Sequence, residues 1–418
     1  MKLTARCNLD CTYCYMFNQH DRTYTRVPPA LAIEDAILLL DRIAEQLRGS
    51  GGDFKIILHG GEPTLWPVLN FQIFLDHLAK LRADGARIST AIQTNGYSIS
   101  LKLIDLLAEH NVPLGISLDG PAEANDVHRV TKSGRGSYDK VMKTTEKIIA
   151  HGAGSLISGF LCVANPQVPV ADFFEWAESL PVRRVDVLWP MEYSYANPPW
   201  HSNGFMDYRL HPPFGQWFAH LFRLWWEKDD PTFVIRLFFE AILVLIGSSR
   251  HTDMLVNDVM NMVVVNTDGG LELHDFMRSH GDGRTRTAFN IHEHRLDQVA
   301  SSEPFSSLED LTQYLPDECR ACPHVRLCGG GFLPGRMDGI SILPRRRSVL
   351  CLDQYKFFSE VMRIAAPSLS TLPGCADLIV DSRLPDLPPM SELLNYRDAA
   401  LPLGGHKTDL TQEPLTKP

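Results

Sequence analysis

Short apolar, β-branched runs alternate along the first half of the chain with longer stretches in which apolar residues recur every three to four positions. That alternation is the pattern of repeated strand–helix units around a parallel sheet. It predicts six strands, at 1–4, 54–58, 88–93, 114–118, 156–163 and 185–189. Helices are predicted at 30–48, 68–83, 101–109, 138–151 and 171–180, with Gly49-Ser50-Gly51-Gly52 breaking the chain before the second strand. Parallel α/β barrels present their chemistry at the strand C-termini.

Beyond this region the pattern changes. The most apolar stretch, 233–247, is interrupted by Arg236 and Glu240. It is too short and too charged to span a bilayer and reads as a buried helix. Residues 262–266, a turn at Asp268-Gly269-Gly270 and residues 271–274 read as a β-hairpin. From about residue 367 prolines are many and aromatics few, and 384–418 reads as loosely ordered apart from a short helix at 390–396. The division predicted is 1–210 for the α/β domain, 211–260 for a helical connection, 261–362 for a cysteine-rich extension and 363–418 for a tail. No internal repeat exists beyond the alternation.

Composition narrows the classes. The 418 residues are 44% hydrophobic and 22% charged, enough to bury a sizeable core. A net charge of −10 without a long basic block gives no footprint for nucleic acid. The basic knot Arg345-Arg346-Arg347 reads as a local anion or backbone contact. Residues 1–6 lack the apolar core of a signal peptide, so the expected location is cytoplasmic, with no membrane partner. Of nine cysteines, seven fall in two groups, 7/11/14 and 319/322/328 with 351, which points to metal ligands rather than disulfides. Cys162 and Cys375 read as plain buried or tail residues.

Cys7-Asn8-Leu9-Asp10-Cys11-Thr12-Tyr13-Cys14 packs three cysteines into eight residues. A structural zinc site wants four ligands. Three thiolates with no fourth nearby suit an iron–sulfur cluster with one iron left open to a cofactor; a zinc knuckle is the alternative. With Tyr13 before its last cysteine, the run resembles the signature of the radical S-adenosylmethionine (radical SAM) superfamily. The resemblance implies a partial (β/α)6 barrel and a 4Fe–4S cluster on Cys7, Cys11 and Cys14. It also implies one-electron cleavage of bound S-adenosylmethionine (SAM) to methionine and a deoxyadenosyl radical.

The strand ends carry further resemblance. His59-Gly60-Gly61-Glu62-Pro63 resembles the glycine-rich motif that receives the methionine amino group, which implies a role for Gly60, Gly61 and Glu62. Gln93-Thr94-Asn95-Gly96, Ser117-Leu118-Asp119-Gly120-Pro121 and the residues His128, Arg129, Gly134, Gly136 and Ser137 resemble the segments that hold the SAM carboxylate and ribose. Gln93, Asn95, Ser117, Asp119, Arg129 and Ser137 are the implied contacts, Arg129 and Ser117 for the carboxylate. Helix capping is the alternative for each.

Cys319, Cys322 and Cys328, then Gly329-Gly330-Gly331 and Cys351, resemble the SPASM extension of radical SAM peptide maturases. A full extension has seven cysteines and two auxiliary clusters. Here no cysteine lies between Cys162 and Cys319, and Phe332 stands where another would fall. The resemblance therefore implies one auxiliary 4Fe–4S cluster on Cys319, Cys322, Cys328 and Cys351, with zinc in the same thiolates as the alternative.

Trp189-Pro190-Met191-Glu192, leading to Asn197-Pro198-Pro199, and the run Cys328 to Arg336 are similar to the cyclophane-forming branch, which acts on ribosomally made peptides. Gly335 stands where that branch commonly has histidine. The implied reaction joins a β-carbon radical to an aromatic ring, with an electron passing to the auxiliary cluster and a proton to a base. Asp275 leads the base candidates, because Asp275-Phe276 resembles the dipeptide after the SPASM hairpin; His274, His280 and Asp282 follow. A precursor peptide and an external one-electron donor are the implied partners. Thioether formation, epimerisation or sulfatase-type serine or cysteine oxidation would use the same core. A non-catalytic iron–sulfur protein is the reading from a different class. Six residues before Cys7 leave no room for a leader-binding domain there, so leader recognition falls to the core, the extension or another protein.

Overall fold

The computed structural model describes residues 1–201, 208, 211–247, 252, 254–255, 262–337 and 341–369. Seven strands, β1 (Lys2–Thr4), β2 (Phe54–Gly60), β3 (Ile88–Thr94), β4 (Leu114–Ser117), β5 (Ile157–Val163), β6 (Arg184–Leu188) and β7 (Val234–Ile235), form one sheet in chain order. Every neighbouring pair is parallel. The crossovers carry α1 (Ile33–Ser50), α2 (Val68–Ala83), α3 (Leu101–Glu109), α4 (Ala122–His128), α5 (Tyr138–Ala150), α6 (Val170–Ser179) and α7 (Pro213–Lys228). In-order parallel strands with helical crossovers bring all the strand C-termini to one edge, where loop residues meet.

The core follows the apolar pattern. Leu3, Leu58, Ile92, Ile116, Phe160 and Val187, one from each of the first six strands, are at most 1% exposed. Burial of each contributes about 1.5–3 kcal/mol. α1 runs through Gly49 and Ser50, past its expected end, and stops where Gly51 takes φ +69. α3 starts at Ser100, whose side chain accepts a hydrogen bond from Leu103 N at 3.2 Å.

All six expected strands are present, and two stretches here differ from expectation. α4 lies between β4 and α5, where the sequence reading had only loop. The stretch 233–247 is not one buried helix. Its first residues form β7, which pairs Ile235 with Val185 and covers the open edge of β6. α8 (Arg236–Leu245) follows and is half-buried, with Leu237, Phe238 and Ala241 inward and Phe239 48% exposed.

The expected hairpin is present as β8 (Val264–Val265) and β9 (Leu271–Glu272), antiparallel. A 3-10 turn over Asp275–His280 follows, then α9 (Leu296–Ala300), α10 (Asp317–Arg320), α11 (Val325–Cys328) and α12 (Cys351–Leu369). This extension has its own small core of Leu273, Phe276, Met277, Leu308, Leu311, Leu333 and Met337. α12 packs against α7, with Phe357 and Phe218 rings 5.5 Å apart. α12 also continues across the expected boundary at 363, burying Ala365, Ala366 and Leu369. All described residues fall in one compact unit. Arg345 and Arg346 lie over the rings of Tyr314 and Tyr195 at 5.4 and 4.8 Å. Cys375 and the helix expected at 390–396 lie outside the described residues. No described helix is long and apolar enough to cross a membrane.

Candidate functional site

The cysteine loop leaves the end of β1 and is pinned by the chain after α4. Asp10 N donates to Val130 O at 2.8 Å and Thr12 N to His128 O at 3.0 Å; Leu9 bridges Thr131. A buried polar group fixes the middle of the loop. The Tyr13 hydroxyl donates to the Asp119 carboxylate, and Arg129 Nη1 donates to the same hydroxyl at 3.1 Å. Asp119 also accepts from Val163 N at 3.1 Å, so β4, β5 and the loop meet on one carboxylate. Burial alone would lower the pKa of Arg129, but Tyr13, Asp119 and Cys11 outweigh it and raise it. A held guanidinium thus stands beside Cys11, and its Nε is buried with no hydrogen-bond partner.

The sulfurs are dressed as cluster ligands are. Cys7 Sγ accepts from Leu9 N at 3.4 Å and from Asn95 Nδ2 at 3.5 Å. N–H donors aimed at sulfur and a nearby cation are the means by which a protein tunes an iron–sulfur site. Burial raises the Cys7 thiol to about 11 and Cys14 to about 12, and also raises Cys11. Metal binding to such thiols must displace their protons. Three half-buried sulfurs, with donors already in place, fit a cluster with three protein ligands.

The glycine motif is tight against the chain's own backbone. A Cβ at Gly61 would lie 2.1 Å from the Arg6 carbonyl oxygen, and one at Gly60 2.4 Å from that of Thr4. Gly61 N donates to Thr4 O and Glu62 N to Arg6 O, at 2.9 and 2.8 Å, which carries the β1–β2 contact up to the residue before Cys7. Gly61→Ala is expected to displace the Arg6 carbonyl and Cys7 with it. The expected cost is about 1–3 kcal/mol with lowered iron content, read by denaturant unfolding and iron assay.

Two of the residues implied as SAM contacts are engaged within the fold. Glu62 is fully buried at 0% exposure. Its Oε1 accepts from Thr64 N (3.1 Å), Thr64 Oγ1 (2.7 Å) and Thr94 Oγ1 (2.5 Å), and its Oε2 from Asn95 N (2.7 Å). This carboxylate joins the ends of β2 and β3 and, through Asn95, sets the donor on Cys7. Ser137 is also 0% exposed and accepts from Asn125 Nδ2 at 3.2 Å between α4 and α5. Gln93 and Ser117 remain half-buried at the sheet edge, with Gln93 Nε2 donating to Ser117 Oγ at 3.0 Å.

The second cysteine group gathers from the α10 turn, the end of α11 and the head of α12. After burial, which pushes Cys319 to about 12, the next cause of its rise is Cys351; the same holds for Cys328. The four thiols therefore sit within electrostatic reach of one another. Gly329, Gly330 and Gly331 take φ values of +59, +91 and +98, and a Cβ on Gly331 would lie 2.3 Å from Gln354 Oε1. Among the described residues no three His, Cys, Asp or Glu side chains stand in single-ion geometry. Cys351→Ala is expected to lower iron from about eight to about four per chain. Stoichiometric zinc beside only one cluster's worth of iron in the unaltered protein would show the second group to be a zinc site.

Asp275 is buried, with Lys2 Nζ at 2.6 Å, Arg278 Nε at 2.8 Å and His59 Nδ1 at 3.7 Å. Burial would raise its pKa, but Lys2, His59 and Arg278 outweigh that and hold it well below the usual carboxylate range. Arg278 also pairs with Asp21 and Glu272. The arrangement fastens the hairpin to β1 and makes Asp275 a weak proton acceptor. Asp282 is exposed and paired with Arg26. His274 Nδ1 accepts from Phe276 N at 3.2 Å as a turn cap, and His280 is half-buried. Sequence reasoning missed Glu192 as a base candidate. It lies half-buried after β6, and burial raises its carboxyl pKa. The run Trp189-Pro190-Met191-Glu192 marked the residue, but its burial depends on tertiary packing that no local pattern shows.

A model described as the Radical SAM superfamily matches residues 1–178. A serine-type anaerobic sulfatase-maturating enzyme of Bacteroides thetaiotaomicron is 24% identical over 378 residues, 85% of this chain and 87% of that protein. A cysteine-type enzyme of the same description from Clostridium perfringens is 24% identical over 335 residues, 78% and 86% of the two chains. The solved structure of native anSMEcpe with bound AdoMet and Cp18Cys peptide has the same fold, with a TM-score of 0.72 at 20% identity over 88% of this chain and 97% of that one. The sheet and the cysteine loop at its edge agree with the Radical SAM superfamily match over residues 1–178, and the cofactors are S-adenosylmethionine and a 4Fe–4S cluster.

Proposed function

We propose that this chain is a radical SAM maturase that oxidises a side chain of a peptide or protein substrate, starting at the β-carbon. The observation that carries this is a three-cysteine loop at the sheet's C-terminal edge joined in one body to a four-cysteine extension. Given one electron, bound S-adenosylmethionine supplies a radical that removes a hydrogen atom from the substrate. The chain's residues hold that event in place. Tyr13, Asp119 and Arg129 fix the loop, and Glu62 and Asn95 set Cys7. Gln93, Ser117 and the unpartnered Nε of Arg129 offer the polar contacts for carboxylate and ribose. Cys319, Cys322, Cys328 and Cys351 would hold the acceptor of the second electron. Glu192 is better matched than Asp275 to receive the proton, because its proton affinity is raised and that of Asp275 lowered.

Two outcomes share this first step. Oxidation of serine or cysteine to an aldehyde stands first, supported by sulfatase-maturating relatives that match over most of both chains. A carbon–carbon cyclophane crosslink stands second, supported by the four-cysteine extension with Phe332 and the glycine loop before Arg336. The test is co-expression with a candidate precursor peptide, followed by mass spectrometry and hydrazide trapping. A trapped aldehyde supports oxidation. Loss of two hydrogens with an untrappable link to a ring supports the crosslink. Unchanged peptide mass with SAM cleaved overturns both, and intact SAM in the reduced protein returns the non-catalytic reading.

A further inference from the structure

We propose that the exposed basic rim beside Cys7, formed by Arg6, Lys132 and Arg135, docks a small acidic one-electron carrier protein. The inference rests on the radical SAM reading, which requires an electron delivered to the cysteine loop from outside.

A cleft of 880 Å³ opens against the loop, with Cys7 in its wall, Arg6, Lys132 and Arg135 around it, and Phe17 and Tyr97 among its apolar lining. Gln93, Ser117 and Arg129 do not line it. The cleft therefore reaches the ligating cysteine but not the residues assigned to SAM. It suits delivery of an electron, which needs only proximity, rather than a substrate carbon that must meet the radical.

The rim is built rather than loose. Lys132 and Arg135 stand on an exposed turn closed by Gly134 N to Thr131 O at 2.8 Å and Thr131 N to Arg135 O at 2.7 Å. The Leu9–Thr131 bridge ties this turn to the cysteine loop itself. The chain carries a net charge of −10, yet the cleft lining holds these three exposed cations against one exposed carboxylate, Asp10. Asp10 is occupied by Asn18 Nδ2 at 2.8 Å. Among the described residues none of the three cations forms an ion pair, whereas Arg26, Arg183, Arg223 and Arg295 all do. Unpaired charge of one sign around an apolar patch steers an oppositely charged partner and fixes its register. In the step served, the carrier loses one electron and the metal centre on Cys7, Cys11 and Cys14 gains it; no group is transferred.

The experiment uses purified flavodoxin as the acidic probe with the full chain and with Lys132→Glu/Arg135→Glu. Binding is read by calorimetry at low and high salt, and cluster reduction by stopped-flow absorbance. The expected result is binding that weakens with salt, and a loss of about tenfold or more in affinity and reduction rate in the reversed variant. SAM cleavage driven by dithionite, a small reductant that needs no docking, stays unchanged. Lys132→Gln/Arg135→Gln is expected to fall between the two, which guards against a folding defect. Equal binding and reduction in all three proteins overturns the proposal. A raised KM for the peptide with carrier binding unchanged also overturns it and assigns the rim to substrate. If dithionite drives no SAM cleavage in the unaltered chain, the functional reading fails, while the calorimetric result still decides the docking claim.

Discussion

Replacing Cys7, Cys11 and Cys14 together by alanine is expected to abolish SAM cleavage by the reduced protein and to remove about four irons per chain. The geometry explains why the effect is total. Leu9 N and Asn95 Nδ2 donate to Cys7, and the backbone of Met16 and Phe17 hydrogen-bonds Cys14. Among the described residues the remaining cysteines are Cys162, in the core, and the four of the extension. The loop itself is held by bonds that the substitution leaves in place, namely Asp10 to Val130, Thr12 to His128, and Tyr13 to Asp119. The fold is therefore expected to persist, with unchanged circular dichroism. Activity and fold separate in this variant, so a loss of both would mean that the cysteines serve stability instead. SAM cleavage that survives the substitution would end the radical SAM reading.

The strands were legible because their cores are continuous apolar runs long enough to show a period. β7 was not, since two residues carry no period and Val234–Ile235 becomes a strand only because the edge of β6 lies open beside it. The two cysteine groups were legible as candidate ligands because spacing alone marks them. The contacts of the other motif residues were not. A motif fixes where a residue lies along the chain, whereas Glu62 and Ser137 turn inward to satisfy Asn95, Thr94 and Asn125. Lys2 reads as one polar residue in a short strand, and only the folded chain brings its ammonium to Asp275. The order of base candidates proposed above differs from that of the sequence reading for the same reason: Lys2 and His59, far along the chain, join Arg278 around Asp275, and Glu192 is buried by tertiary packing.

Arg278→Leu is expected to cost about 3–5 kcal/mol of stability, the range for breaking a buried ion pair by removing one partner. Arg278 is 1% exposed and pairs with Asp21, Glu272 and Asp275. Its loss leaves three buried carboxylates, with Lys2 2.6 Å from Asp275 and Lys2 and Arg286 each 3.7 Å from Glu272. The pH dependence has a definite sign. The pKa of Asp275 is depressed on folding, so its contribution is fully present above the unfolded value of about 3.9 and is lost as pH falls below it. Arg278 is one cause of that depression, so the gap between the unaltered chain and the variant should narrow as the solution is acidified through this range. Added salt should change the gap little, because the network is buried. The control is Arg26→Leu, which breaks the exposed pair with Asp282 and is expected to be near neutral. Thermal melts of the two variants across pH decide the matter. If Arg278→Leu is no more destabilising than the control, the hairpin is not held by this network. Asp275 would then be free to take a proton, and its place behind Glu192 would have to be reversed.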